Sequence, residues 1–371
     1  MTETLSAYPP EESWDHVESL DPAAWPTKVR RAHRLVPTTC FNCEANCGLL
    51  AWVDKDTGKI TKFEGNPVHP ASRGRNCAKG PATINQVEDP ERILHAMKRV
   101  GDRGEGLWER ITWDQALDEV GTRIGNAFRE ERHHEVMYHV GRMGDDSYME
   151  RVLHSWGIDG HNSHTNICSS GARVGYASWM GFDRPSADFA NAEVLFLISS
   201  HLEAGHYFNP HAQRIIEGQK NGATVICVDP RLSNTAAKAD HWMSPWPGTE
   251  AFMLLAIARL LLVDDTWDAD FFERWVNWET FLTEARPDLE PNLRPALMDQ
   301  YAEYTPAEAA RVCGLDEDQI LEVAKVIGGG LGKFASHTWR ASSAGNEGGW
   351  MVARCLQFLN VLTGSVGTEG G

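Results

Sequence analysis

The sequence predicts a doubly wound α/β protein with a small cysteine-bearing domain in front of it, and two observations carry that expectation. Apolar runs of strand length at 136–140, 194–198 and 224–228 alternate with helix-period patterns at 211–220, 250–262 and 307–312. Alternation of this kind builds a parallel sheet covered on both faces. Ahead of it, Cys40, Cys43 and Cys47 stand close together, and Cys77 follows thirty residues later.

Length and charge narrow the function. At 371 residues the chain has the length of two or three domains, taking roughly 100 to 200 residues for each. Its apolar and charged fractions, 42% and 23%, are those of an ordinary folded protein and exclude disorder over most of the length. A net charge of -17 repels phosphate backbones, so no nucleic-acid partner is expected. The strongest apolar stretch, 253–263, is interrupted by Arg259 and is too short to span a bilayer. Arg30 and Arg31 form a pair with no apolar run after it, which argues against a twin-arginine signal. A cytoplasmic location is the expectation.

Residues 1–36, rich in Pro, Asp, Glu and Ser, are expected to form an N-terminal extension that lies on a neighbour or stays mobile. Residues 37–93 are expected to be the cysteine domain. Four thiolates serve a [4Fe-4S] cubane, one per iron, with a tight triplet on one loop and a distant fourth closing the cage. Structural zinc usually takes two close pairs, and a disulfide framework belongs to shorter secreted chains.

In the next segment Thr112 and Gln115 have the spacing of a capping box, with Ala116, Leu117, Val120 and Ile124 on one helix face. Thr305, Pro306 and Glu308 mark a second helix start. Ligands of a parallel sheet sit beyond the carboxyl ends of its strands, which directs attention to Ser199 and Glu203 after one strand and to Asp229 and Arg231 after the next. Asp229 can accept from ribose hydroxyls or a base edge, and Arg231 can pair with a phosphate. At Gly248, Thr249 and Glu250 a helix opens whose backbone N–H groups can hold a ligand oxygen and whose carboxylate can accept the paired donors of guanine.

Taken in order, these segments resemble the molybdopterin oxidoreductase superfamily of the dimethyl sulfoxide reductase type. The resemblance runs from Pro37 to Gly371 and rests on the four cysteines, Cys77-Ala78-Lys79-Gly80, Glu91-Arg92-Ile93-Leu94, Ile111-Thr112-Trp113-Asp114, Val228-Asp229-Pro230-Arg231, Pro247-Gly248-Thr249-Glu250 and Leu362-Thr363-Gly364-Ser365-Val366-Gly367. It implies a [4Fe-4S] domain, then a first α/β domain from 94–163 with 332–371 and a second, dinucleotide-binding one from 164–331. It also implies molybdenum or tungsten on a bis-molybdopterin guanine dinucleotide. By the same resemblance Lys79 lies between cluster and pterin, and Asp229, Arg231, Thr249 and Glu250 hold a guanosine and its phosphates. Cys168 falls where the family supplies a ligand to the metal, whereas Cys227, Cys313 and Cys355 lie in apolar patterns and read as core.

Formate dehydrogenases of the superfamily follow the metal ligand with His and carry a later Arg. Arg354 matches that arginine by its spacing from Leu362, but Ser169 stands in the His position, which argues against formate oxidation. The polar run 161–166 and the run 206–211 look like the branch that contains phenylacetyl-CoA acceptor oxidoreductases, polysulfide or thiosulfate reductases and acetylene hydratase. His164, His206 and His337 are candidate proton carriers there, since imidazole titrates near neutrality. The resemblance further implies an iron-sulfur electron-transfer partner, a small-molecule substrate, and a separate chain or further C-terminal region to complete the pterin site. The competing expectation is an electron-transfer subunit that keeps the fold and cluster without the pterin metal.

Overall fold

Alternation along one strand organises the first part of the molecule. In β3 (Gly48–Asp54), introduced after β1 (Val17–Leu20) and β2 (Arg30–Thr39), successive side chains point to opposite faces. Leu49 and Ala51 pack with Cys40, Cys47 and Phe63, while Leu50 and Trp52 pack with Trp14 and Leu35. With β4 (Ile60–Gly65) the strands form an antiparallel sheet in the order β1-β2-β3-β4. The computed structural model describes residues 9–371 apart from 44, 141–145, 159–160, 165–167, 184–185 and 203–208. It divides into two compact units, Met1–His164 and Thr165–Gly371.

The N-terminal residues depart from expectation. From residue 9 they are part of the first unit: β1 and β2 are strands of its sheet, and Trp14 is 7% exposed beneath Leu50 and Trp52. The physical reason is that β3 is apolar on both faces, so the second face needs a cover, and Trp14 supplies it. Leu35 N–H donates to the Trp14 carbonyl at 2.8 Å, which pins that cover to the sheet.

The rest of this unit is lighter. A hairpin of β5 (Met97–Arg99) and β6 (Trp108–Arg110) precedes helix α1 (Trp113–Arg129), whose capping box between Thr112 and Gln115 is present in both directions. The strand expected at 136–140 is shorter, β7 (Tyr138–Val140). It is followed by α2 (Asp146–Ser155) and pairs in parallel with β8 (His161–Ser163).

The second unit opens with α3 (Ser170–Met180), then β9 (Val194–Ile198), α4 (Asn209–Lys220), β10 (Thr224–Val228) and β11 (His241–Met243). Helices α5 (Glu250–Val263), α6 (Ala269–Trp275), α7 (Leu293–Gln300), α8 (Pro306–Cys313) and α9 (Glu317–Gly329) lead to β12 (Phe334–Thr338), α10 (Arg340–Ser343) and α11 (Gly349–Leu362). The sheet order is β11-β10-β9-β12 with every pair parallel. On one face Val194, Phe196, Ile198, Ile226, Val228 and Phe334 pack against α5, α8, α9 and α11. On the other, Leu195, Leu197, Val225 and Ala335 meet Phe189 and Ile215 of α4. Both faces are covered, so the central strands β9 and β10 are apolar along almost their whole length, as the doubly wound reading requires.

One expected grouping is corrected here. Residues 332–371 were assigned with 94–163, yet Phe334 of β12 pairs with Val194 of β9 and the segment lies in the second unit. β12 turns Phe334 to one helical layer and Ala335 to the other, and β9 offers it an open parallel edge; the segment's own pattern names no partner strand.

Candidate cluster and cofactor sites

Two loops carry the four clustered cysteines. The first is closed at its base, where Cys40 N–H donates to the Cys47 carbonyl at 2.9 Å. The second runs from Cys77 into the single-turn helices Lys79–Ala82 and Ile84–Val87. Asn42 joins them: its Nδ2 lies 3.4 Å from Cys40 Sγ, 3.1 Å from the Lys79 carbonyl and 3.0 Å from Thr83 Oγ1. Cys40 and Cys47 are 8% and 6% exposed, in a wall completed by Leu49, Phe63 and the flanks of Ile84 and Val87. Among the described residues no three His, Cys, Asp or Glu side chains converge on a point where a single ion could sit. No disulfide joins the cysteines.

In the second unit the carboxyl ends of four parallel strands lie on one edge. The strand order reverses at β9, because the chain runs from β9 to β10 and β11 on one side and places β12 on the other. A crevice at that switch point is where open α/β sheets bind ligands. Ser199 leaves β9 with φ 52°, a left-handed conformation that a non-glycine residue adopts at some cost. Leu202 N–H then donates to Thr235 Oγ1 at 3.2 Å, tying this exit to the one after β10. Beyond β12, Thr338 Oγ1 and Ser342 Oγ lie 3.0 Å apart.

Helix α3 is brought to this same edge by close backbone packing. A Cβ on Gly171 would lie 2.3 Å from the Ser343 carbonyl oxygen, and one on Gly175 would lie 2.4 Å from that of Trp350. Only glycine permits such an approach. Cys168, three residues before Gly171 and partly buried, therefore stands beside the exit of β12. Two buried polar atoms here have no hydrogen-bond partner among the described residues: His201 Nε2 after β9 and Ser343 Oγ after β12. Buried polar groups are nearly always paired, so these two atoms are where a polar group entering the crevice would find hydrogen-bond partners.

Comparison with known proteins agrees with this geometry. The Molybdopterin oxidoreductase Fe4S4 domain matches residues 33–89, and the Molybdopterin oxidoreductase family matches residues 92–271, so the two together span well over half of the chain. The chain belongs to the molybdopterin oxidoreductase superfamily. The thiosulfate reductase molybdopterin-containing subunit PhsA of Salmonella typhimurium is 29% identical over 91% of this chain and 42% of its own length. The dimethyl sulfoxide reductase DmsA of Escherichia coli is 26% identical over 94% of this chain and 45% of its own. Among solved structures, acetylene hydratase from Pelobacter acetylenicus superposes with a TM-score of 0.76 at 23% identity, over 90% of this chain and 44% of that one; it shares the fold. The chain spans less than half the length of the curated relatives it matches.

Within the molybdopterin oxidoreductase frame, the expected cofactor residues fall into two groups. Asp229 is 8% exposed, with Oδ1 accepting from Arg231 N–H at 3.1 Å and its carbonyl held by Trp242 Nε1 at 2.8 Å. Arg231 is exposed, and its guanidinium pairs with no described residue. Of the two, Arg231 has its side chain exposed, whereas Asp229 is buried with one carboxylate oxygen already accepting. Gly248, Thr249 and Glu250 do not match the expectation of free donors and a free carboxylate. Gly248 N–H donates to Glu250 Oε2 at 2.8 Å, Thr249 N–H and Oγ1 both donate to the Trp246 carbonyl, and Glu250 is only 6% exposed. Burial pushes the Glu250 carboxyl above its ordinary range, and the turn closes on itself because a buried carboxylate needs donors.

The remaining candidates are dispersed. Lys79 is exposed, its carbonyl held by Asn42 while its ammonium pairs with no described group. His164 is exposed at the end of the first unit. Glu203 and His206 lie outside the described residues. His337 points to the α4 face, with Phe189 and His211 at ring distances of 6.2 and 5.9 Å. The Arg354 backbone lies beside Gly175, seven residues past Cys168, about 10 Å along the helix. Cys227, Cys313 and Cys355 are core residues, as their apolar surroundings implied. Sequence reading missed Asn42, His201 and Ser343: each is a common polar residue whose role appears only when two distant segments meet.

Proposed function

We propose that this chain is the N-terminal part of the catalytic subunit of a molybdenum or tungsten bis-pterin guanine dinucleotide oxidoreductase, with a [4Fe-4S] cluster on Cys40, Cys43, Cys47 and Cys77. The observation that carries this reading is the single carboxyl edge onto which Ser199, Asp229, Arg231 and the start of α3 with Cys168 are gathered beside the unpartnered His201 Nε2 and Ser343 Oγ. When bound, the metal supplies two-electron exchange with a small substrate and the cluster supplies one-electron steps.

The chain's own residues then have separable tasks. The Cys168 thiolate ligates the metal, a soft donor suited to that centre. Asp229 accepts from the guanosine and Arg231 neutralises a phosphate, compensating for an otherwise acidic protein. Lys79 contributes a cation two residues from a cluster ligand, and the apolar wall around Cys40 and Cys47 keeps water from the cluster. An iron-sulfur partner takes or delivers the electrons. The names of the relatives make a small sulfur oxide, thiosulfate or a sulfoxide, the substrate class to screen first.

Elemental analysis of the anaerobically purified chain with its native neighbours tests the reading. About four irons with one molybdenum or tungsten is the expected result. Iron alone would favour an electron-transfer subunit that has lost the pterin metal, and zinc alone would overturn the cluster assignment. No helix among the described residues is long and apolar enough to cross a membrane.

A further inference from the structure

A cavity of 440 Å³ opens among α3, α6, α7 and α11, on the helical layer behind the sheet. That volume is within the range of small-ligand sites, roughly 300 to 1,000 Å³. Its walls are aromatic, with Trp179, Phe272, Trp278, Tyr301 and Phe358 prominent. Trp179 stacks on Phe358 at 5.4 Å between ring centroids, and Tyr301 meets Phe358 at 5.3 Å. The cavity lies apart from the strand edge: it uses the last turn of α3, whereas Cys168 precedes the first, and an eleven-residue helix is about 16 Å long.

Charge distinguishes this cavity from an ordinary packing gap. Arg354 is the one charged side chain among the described residues that line it, and no carboxylate does, in a chain of net charge -17. Trp179 Nε1 donates to the Arg354 carbonyl at 3.0 Å, which fixes the backbone, while the guanidinium is exposed and pairs with no described residue. Burial pushes the Tyr301 hydroxyl and the Cys355 thiol each to about 12, with Arg354 pulling both the other way. Both groups therefore stay neutral near pH 7, and Tyr301 O–H is available as a donor. Gln300 also lines the cavity; its Oε1 accepts from Arg286, so its amide N–H₂ can face a ligand.

We propose that this cavity binds an aromatic monocarboxylate, the ring held among Trp179, Trp278 and Phe358 and the carboxylate on the Arg354 guanidinium. Flat rings are held by edge and offset contacts with aromatic walls, and arginine matches a carboxylate with two parallel donors. Cationic ligands find no counter-charge here, and neutral ones gain no charge-assisted contact from the guanidinium. The site needs neither the cluster nor the pterin metal, so its test is independent of theirs.

Isothermal titration of the full chain with 2-naphthoate and with 2-naphthylmethanol tests it. One saturable site is expected, with the carboxylate bound about tenfold tighter than the alcohol, the scale of one charge-assisted hydrogen bond. Arg354→Gln removes that advantage while alcohol binding, which reports an intact pocket, stays unchanged. Trp278→Ala weakens both probes. Absence of saturable binding, equal affinity for the two probes, or an Arg354→Gln chain that still prefers the carboxylate would overturn the proposal.

Discussion

The two units build their sites in opposite ways. In the first, three cysteines lie within eight residues and the fourth is reached by one return of the chain, so short loops and an amide, Asn42, bring the two cysteine loops together. In the second, Cys168, Ser199, Asp229 and Ser343 come from segments spread over more than 170 residues, and only the parallel register of the sheet with the close packing of α3 gathers them. A site made from loops tolerates change elsewhere in its unit, whereas a site made at a sheet edge inherits every error of helix packing.

Reciprocal cysteine substitutions give the largest effect and the most direct way to break this comparison. Cys43→Ala is expected to abolish the iron content of the first unit. Cys168→Ala is expected to abolish turnover and pterin-metal content while leaving iron unchanged. If iron were lost in both, Cys168 would be a structural residue and the separation of the sites would fail.

Gly175→Ala should destabilise the second unit by about 1 to 3 kcal/mol, the usual cost of overpacking, because the new Cβ would lie 2.4 Å from the Trp350 carbonyl oxygen. Thermal unfolding followed by near-ultraviolet circular dichroism would show a lowered transition with cluster absorbance intact. Loss of the absorbance as well would mean that the two sites do not respond separately.

Asn42→Ala probes the first unit more gently. It removes the donor 3.4 Å from Cys40 Sγ, and such hydrogen bonds stabilise the more negative, reduced cluster. Iron should be retained and the potential lowered by on the order of 40 mV, taking about 1 kcal/mol for the bond and 59 mV per tenfold for one electron. Electron paramagnetic resonance during a redox titration reads the shift, and an unchanged potential would limit Asn42 to joining the loops.

The smallest effect concerns Glu250. Its carboxyl is raised by burial, so the folded state holds the proton more tightly than the unfolded one. The associated stability is present below the ordinary glutamate range, about pH 4.3, and is lost as pH rises through the raised folded value. Glu250→Gln, which keeps an acceptor for Gly248 N–H, should therefore raise the melting temperature at pH 8 and change it little at pH 4. An equal gain at both would show that the carboxylate is well solvated, and that the turn is open to a ligand after all.

Much of the local structure was legible in the chain. The strands at 194–198 and 224–228 have the expected bounds, and the helices at 211–220, 250–262 and 307–312 differ by at most two residues at either end. Apolar period and capping residues are local signals, and the buried strands of a parallel sheet are apolar throughout. Residues 9–36 depart from the expected extension because Trp14 and Leu35 are isolated apolar residues in a polar stretch, and their burial depends on an uncovered face of β3.

The sequence by itself determined the ligand chemistry and the family: the thiolate count and spacing, the order of the motifs and the strand-helix alternation are written in the order of residues. Only the tertiary structure decided that β12 flanks β9, that Cys168 reaches the carboxyl edge, that Glu250 closes on its own turn and that Arg354 faces an aromatic cavity. Each of these depends on which distant surface a segment packs against, and that choice is set by the complementarity of buried faces, which no single segment encodes.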